Sequence, residues 1–318
     1  MSNSHQIPSR HPKPYSVRYR KDPSDCLIGE CHVRRHTRSQ LSLGILACRG
    51  SCRRLFGHRI QNLETEKQLL AQNWDWHPNQ LDNDIILDIT NIDGSRIVTV
   101  TEAGIVGKVG FNADCVGVTL NGIKTTKVAL NFDMLPIHFA LRYIVLQSPS
   151  ANEAVKQVIR IGIASTAHFL IADSVSAYGV ELSPLGNGVI PADQDGFILH
   201  TNHWISQPQL VDPAPCLRDS IQRLNRMEAL KPKVKTTEDI WTVSGDEDGA
   251  PSCICRTVPG VHVNAELETL FAVVTDLEVG AAEFVNGRPT KFNQRTLLPK
   301  TGLLVGTGSN IKMHSTGI

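Results

Sequence analysis

The chain lacks the long apolar run that a membrane-spanning helix requires: no stretch of about 18 consecutive apolar residues occurs among its 318 residues. Its first 21 residues, Met1–Lys21, are polar and basic and contain no apolar core of a secretory signal. Aromatic residues are scarce, at 5%, and no aromatic stacking platform for nucleic acid is read among the basic residues. The formal net charge is only +1, so no single-signed field covers the whole protein. The stretch Gly104-Ile105-Val106-Gly107-Lys108-Val109-Gly110 lacks the order of a phosphate-binding loop and opens no helix. Neither membrane spanning nor nucleic-acid binding is therefore expected, and the expected partner is a small molecule. Eight cysteines without a secretory signal point to reduced thiols in a cytoplasmic protein, or an organellar one if the basic N-terminus is a leader.

What is present divides sharply. Residues 1–60 carry twelve Lys/Arg against three Asp/Glu, so the rest of the chain is net acidic. This first segment shows neither helical nor strand periodicity. It reads as a leader, as a basic arm, or as misread sequence joined to a sound domain. Its cysteines, Cys26, Cys31, Cys48 and Cys52, are spaced by four and three intervening residues, unlike the two of a zinc knuckle. No metal or cofactor is expected. The division is a poorly patterned segment 1–63, a folded body 64–299, and a flexible Gly- and Ser-rich tail 300–318.

Within the body, 84–91 and 96–102 flank the turn signal Asp93-Gly94 and read as a hairpin. The glycines of 104–110 allow close approach of backbones. A strand follows at 116–120, then a buried helix at 135–146 with Pro136 in its first turn. Ser150 caps a second helix reaching Ile161. Strands at 168–172, 178–182 and 197–200, a helix at 217–230 and a hairpin at 270–276 and 281–285 complete the reading. Strands and helices come in blocks, which is an α+β plan with antiparallel sheets.

The chemistry-bearing residues lie in short clusters. Gln72-Asn73-Trp74-Asp75-Trp76 sets three hydrogen-bonding side chains beside two indoles, and a carboxylate buried there needs paired donors. In Thr201-Asn202-His203, at a strand end, the Asn202 amide is a candidate donor to a developing oxyanion. Cys253-Ile254-Cys255-Arg256 is too tight for zinc or for a redox pair, but Arg256 is a candidate for orienting a site or binding a carboxylate.

These blocks, with Thr101–Asn112, Val118–Gly122 and Gly287-Arg288-Pro289-Thr290, resemble in order and spacing the acyl-coenzyme A:6-aminopenicillanic acid acyltransferase family of N-terminal-nucleophile hydrolases. The resemblance implies a four-layer αββα sandwich of antiparallel sheets. It implies a precursor that cuts itself before a cysteine, giving a heterodimer whose freed thiol attacks an amide or an acyl thioester such as an acyl-coenzyme A. By motif, Asp75 positions the nucleophile region, Asn202 serves the oxyanion, and Arg256 orients the site or binds a carboxylate. The sequence departs from the family at the nucleophile, because no Gly-Cys-Thr precedes Gln72. Cys52, twenty positions upstream, is the candidate nucleophile and Cys48 the second choice. A catalytically inactive relative is the alternative.

Overall fold

Two sheets hold more than half of the buried apolar side chains among the described residues, with helices on their outer faces. The computed structural model describes residues 41–47, 67–123, 131–207, 218–257, 267–290, 295–299 and 313–317. Its strands, in chain order, are β1 (Leu41–Ala47), β2 (Leu69–Trp76), β3 (Asp84–Thr90), β4 (Arg96–Glu102), β5 (Val109–Asn112), β6 (Gly117–Gly122) and β7 (Ala167–Ala172). They continue with β8 (Ala177–Ser183), β9 (Gly186–Ile190), β10 (Phe197–His200), β11 (Glu268–Asp276), β12 (Ala281–Asn286), β13 (Thr296–Pro299) and β14 (Met313–Gly317). The α-helices are α1 (Ile137–Tyr143), α2 (Ala151–Ile161), α3 (Arg218–Leu230) and α4 (Thr237–Ser244).

The first sheet has the order β10-β1-β2-β11-β12-β13, and the second β14-β3-β4-β5-β6-β7-β8-β9. Every pairing is antiparallel except that of β14 with β3, which is parallel and departs from the all-antiparallel expectation. Helices α3 and α4 lie on the first sheet, against β10, β2 and β11, and α2 lies on the second, against β7 and β8. The faces between the sheets meet through β1, β2 and β6. This is the expected αββα layering.

Strand alternation explains the layers, since successive side chains point to opposite faces. Along β2, Leu70 and Trp74 enter the core between the sheets, whereas Leu69 and Ala71 join Met227, Ile240 and Trp241 beneath α3 and α4. Trp74 is fully buried and stacks on Phe271 of β11, with ring centroids 5.9 Å apart. The glycine-rich stretch does allow close strand approach: a Cβ on Gly110 would sit 2.3 Å from the Val98 carbonyl oxygen. Ser150 caps α2 by accepting from the Glu153 N–H, as its sequence predicts. The helix expected over 135–146 is shorter. It ends at Tyr143, where Ile144 takes φ −113° and ψ −61°, and a 3-10 turn over 145–147 follows.

Two strands fall in segments for which none is expected. β1 lies inside the 1–63 segment yet sits in the first sheet between β10 and β2. β14 lies in the 300–318 tail and forms an edge of the second sheet.

Candidate active site

Alternation also lets β2 serve three purposes at once. Gln72 faces the second sheet: its Nε2 donates to the Leu120 carbonyl (2.6 Å) and to Asn121 Oδ1 (3.1 Å), and its Oε1 accepts from the Leu120 N–H (3.0 Å). Asn73 faces the helices, where its Nδ2 donates to the carbonyls of Ser244 (2.8 Å) and Ile254 (3.2 Å). That pins the end of α4 and the Cys253–Arg256 turn onto the sheet. Asp75, two residues on, faces the same way and is completely buried.

Around Asp75 the site is assembled from distant segments. Thr269 on β11 donates its hydroxyl to Asp75 Oδ1 (2.7 Å) and accepts from the Arg256 N–H (2.9 Å). Arg256 Nε lies 3.1 Å from Asp75 Oδ2, and its Nη2 pairs with Asp219 at the start of α3. Arg223, from the middle of α3, brings Nη1 to 4.0 Å from Asp75 Oδ2. Its Nη2 donates to Asn202 Oδ1 at 2.7 Å. Asn202 in turn donates from Nδ2 to the Gly122 carbonyl (3.0 Å). The structure thus joins Asp75 directly to Arg256 and reaches Asn202 only through Arg223. Because arginine only donates and a carbonyl only accepts, the orientation of the Asn202 amide is fixed by its partners. One N–H of its amide has no acceptor among the described residues.

The turn carrying Asn202 is held from the other side. Glu181 on β8 accepts from the N–H groups of Ile205 (2.6 Å) and Ser206 (2.8 Å), and His200 Nε2 contacts it at 2.8 Å. His200 stacks on His168 of β7, with centroids 3.6 Å apart. Asn121 donates to the carbonyls of His200 and Thr201, and Ser220 Oγ accepts from the Asn202 N–H (2.7 Å). The Asn202 backbone is thereby tied to both sheets and to α3.

Burial sets the electrostatics. Desolvation pushes the Asp75 carboxyl up from its usual value, against the pull of Arg256 and Arg223. The same burial pushes both guanidiniums down, opposed by Asp75. Glu181 would also rise on burial, but hydrogen bonds from His200 and Ser206 hold it below the ordinary glutamate value. Burial depresses His203 to about 4, so it is neutral near pH 7.

Among the described residues, the cysteines inside the body are buried, which makes them poor nucleophiles; Cys216 lies outside the described residues. Cys253 and Cys255 are buried; desolvation raises both thiols, Cys255 to about 12. Cys115 is also buried. Cys52 and Cys48, like Cys26 and Cys31, lie outside the described residues. On β1 the backbone position directly opposite Asp75 is Leu41. Among the described residues, no group of three or more His, Cys, Asp or Glu is arranged to hold a metal ion.

Three participants escaped the sequence reading: Arg223, Thr269 and Asp219. Arg223 had a legible signal, because it occupies the buried stripe of α3 with Ser220, Met227 and Leu230. A cation on the apolar stripe of an amphipathic helix needs a buried partner. Thr269 in its β-branched strand carried no such mark.

Residues 63–291 match the sequence profile described as AAT: acyl-coenzyme A:6-aminopenicillanic acid acyl-transferase. The chain belongs to this acyltransferase family.

The matched span contains Asp75, Asn202, Arg223 and Arg256. The 40 kDa form of acyl-coenzyme A:6-aminopenicillanic-acid acyltransferase from Emericella nidulans is 33% identical over 275 residues, covering 84% of this chain and 73% of that protein. Among solved structures, a mutant conjugated bile acid hydrolase from Clostridium perfringens covers 87% of this chain and 99% of its own, at 11% identity and a TM-score of 0.49. Penicillin V acylase from Agrobacterium tumefaciens covers 77% of this chain and 82% of its own, also at 11% identity and 0.49.

Proposed function

We propose that this acyltransferase-family chain is a self-processing cysteine amidase or acyltransferase acting on small amides or acyl thioesters. The convergence of Asp75, Arg256, Arg223 and Asn202 into one buried cluster is the observation that carries this reading. Cleavage before Cys52 frees an α-amino group whose ordinary pKa, about 7.7–8.0, suits a base near neutral pH. That amine takes the thiol proton, and the thiolate attacks the acyl carbon. The carbonyl oxygen becomes an oxyanion that the uncommitted Asn202 N–H stabilises. Expulsion of the amine or thiol, which takes up the proton, leaves an acyl-enzyme. Water or an acceptor amine then releases the acyl group and restores the thiol. Asp75 and Arg256 hold the ground on which the nucleophile stands.

The test is an intact-mass spectrum of the purified chain, followed by turnover of acyl anilides and acyl-coenzyme A thioesters. Two fragments, the larger beginning at Cys52, are expected, and Cys52→Ala gives a single uncut chain without turnover. Activity surviving in Cys52→Ala removes Cys52 from the role.

A second reading, a non-catalytic relative that binds acyl compounds, is favoured by the register of β1, which sets Leu41 opposite Asp75. An uncut wild-type chain with no turnover of either substrate class selects it.

A further inference from the structure

The buried stripe of α3 carries a residue whose chemistry is out of place there. Arg223 is fully buried, between Ser220 and Met227, beside an apolar layer rich in leucine, valine and isoleucine that includes Trp241. A guanidinium in such a place is expensive unless its environment uses it. Two of its contacts are informative. Nη2 donates to Asn202 Oδ1 at 2.7 Å, and Nη1 faces Asp75 Oδ2 at 4.0 Å. Its Nε and Nη1 make no hydrogen bond among the described residues. Packing alone would be met by methionine, which fills the next position on the stripe.

We propose that Arg223 is a positioning residue for acyl transfer, the bridge that fixes the Asn202 amide with its N–H toward the reacting oxygen and locks that orientation to Asp75. The inference rests on the acyl-transfer reading above and deepens it. Without Arg223 the amide is anchored only by its bond to the Gly122 carbonyl. It is then free to turn about that contact and present its oxygen, an acceptor, to a developing negative charge. An acceptor in an oxyanion site repels what it should stabilise. The guanidinium prevents this because it has no acceptor to offer and fits only the oxygen of the amide. The connection to Asp75 then holds the oxyanion donor and the nucleophile's support at a fixed spacing, through α3, though they come from different strands.

The test uses the full-length chain with four variants: Arg223→Lys, Arg223→Met, Asn202→Ala, and Arg223→Lys with Asn202→Ala. Circular dichroism and urea unfolding first establish which are folded. Lysine keeps the charge and is the variant that decides if the methionine form does not fold. With an acyl anilide as substrate, Arg223→Lys is expected to lower kcat roughly 10- to 100-fold, with KM within about twofold of wild type, as misplacement of a catalytic group does. In the Asn202→Ala background the same change is expected to cost less than about twofold, because the group it positions is gone. Equal losses in both backgrounds overturn the proposal, as does a folded Arg223→Lys with wild-type kcat. A wild-type chain with no turnover is a different failure. It removes the acyl-transfer reading, and the positioning role with it.

Discussion

Replacing Asp75 with asparagine separates the charge of this side chain from its shape. Asparagine keeps an oxygen able to accept the 2.7 Å hydrogen bond from Thr269 and fills the same volume. What it removes is the anion between two cations. Arg256 retains Asp219 and stays about a tenth exposed, so part of its charge remains compensated. Arg223 keeps only the neutral Asn202 oxygen and has no exposure at all. Stranding a buried charge in this way costs about 3–5 kcal/mol, far more than one neutral hydrogen bond at about 1 kcal/mol. Against a typical total of about 5–15 kcal/mol, that is a large share of the stability of a domain. Urea unfolding of Asp75→Asn should therefore show a midpoint far below wild type with the slope unchanged. Adding Arg223→Met should recover at least half of the loss, since methionine removes the stranded charge and suits its apolar neighbours. An Asp75→Asn chain within about 1 kcal/mol of wild type, or a double variant weaker still, refutes the claim that these charges hold one another.

Three further outcomes are expected. Asn202→Ala should cut turnover of an acyl anilide roughly 100-fold or more in a chain that still folds, with a lowered unfolding midpoint because the buried Arg223 guanidinium and the Gly122 carbonyl lose their partner; unaltered kcat in a folded variant excludes the oxyanion role. Asp84, whose two carboxylate oxygens are buried without hydrogen bonds, is raised by desolvation to about 8 despite the pull of Lys108. Between its ordinary 3.8 and about 8 the native state keeps a proton that the unfolded chain releases, so stability falls as pH rises through that window. Asp84→Asn should lack that fall, and its advantage over wild type should be larger at pH 8 than at pH 4; parallel curves refute it. Cys115 holds φ at +61°, in the left-handed region, with its side chain buried, so Cys115→Ala should lower the thermal midpoint, because it loses the buried thiol and keeps the backbone strain, and a raised midpoint refutes this.

The fold was legible where periodicity is local. The hairpin of β3 and β4, the cap of α2 and the strands β7, β8 and β10 to β12 follow from alternation, turn residues and caps within a few positions, whereas β9 was not expected. β1 was hidden, because Leu-Ser-Leu-Gly-Ile-Leu-Ala shows no clean alternation and lies in a segment of basic, unpatterned composition. The site was legible in its types but not in its wiring. Asp75, Asn202 and Arg256 stood out as a buried carboxylate, a strand-end amide and a lone arginine. That Arg223 joins two of them depends on where α3 docks, and sequence spacing carries no information on docking. Thr269 shows the same limit: its hydroxyl matters only because β11 returns beside β2, with Thr269 opposite Asp75 in the register.

That return has a consequence in time. Asp75 and the threonine that satisfies it are 194 residues apart, and Arg256 is nearly as distant. At about 5–20 residues per second, a ribosome needs roughly 10–40 s to pass from one to the other. During most of that interval a nascent chain can fold its local hairpins, yet β2 has no β11 beside it and Asp75 has neither cation, since Arg223 follows it by 148 residues. Any bond-breaking that depends on the finished cluster is therefore postponed until nearly the whole polypeptide has emerged. A truncated product, released before β11, lacks the assembled cluster.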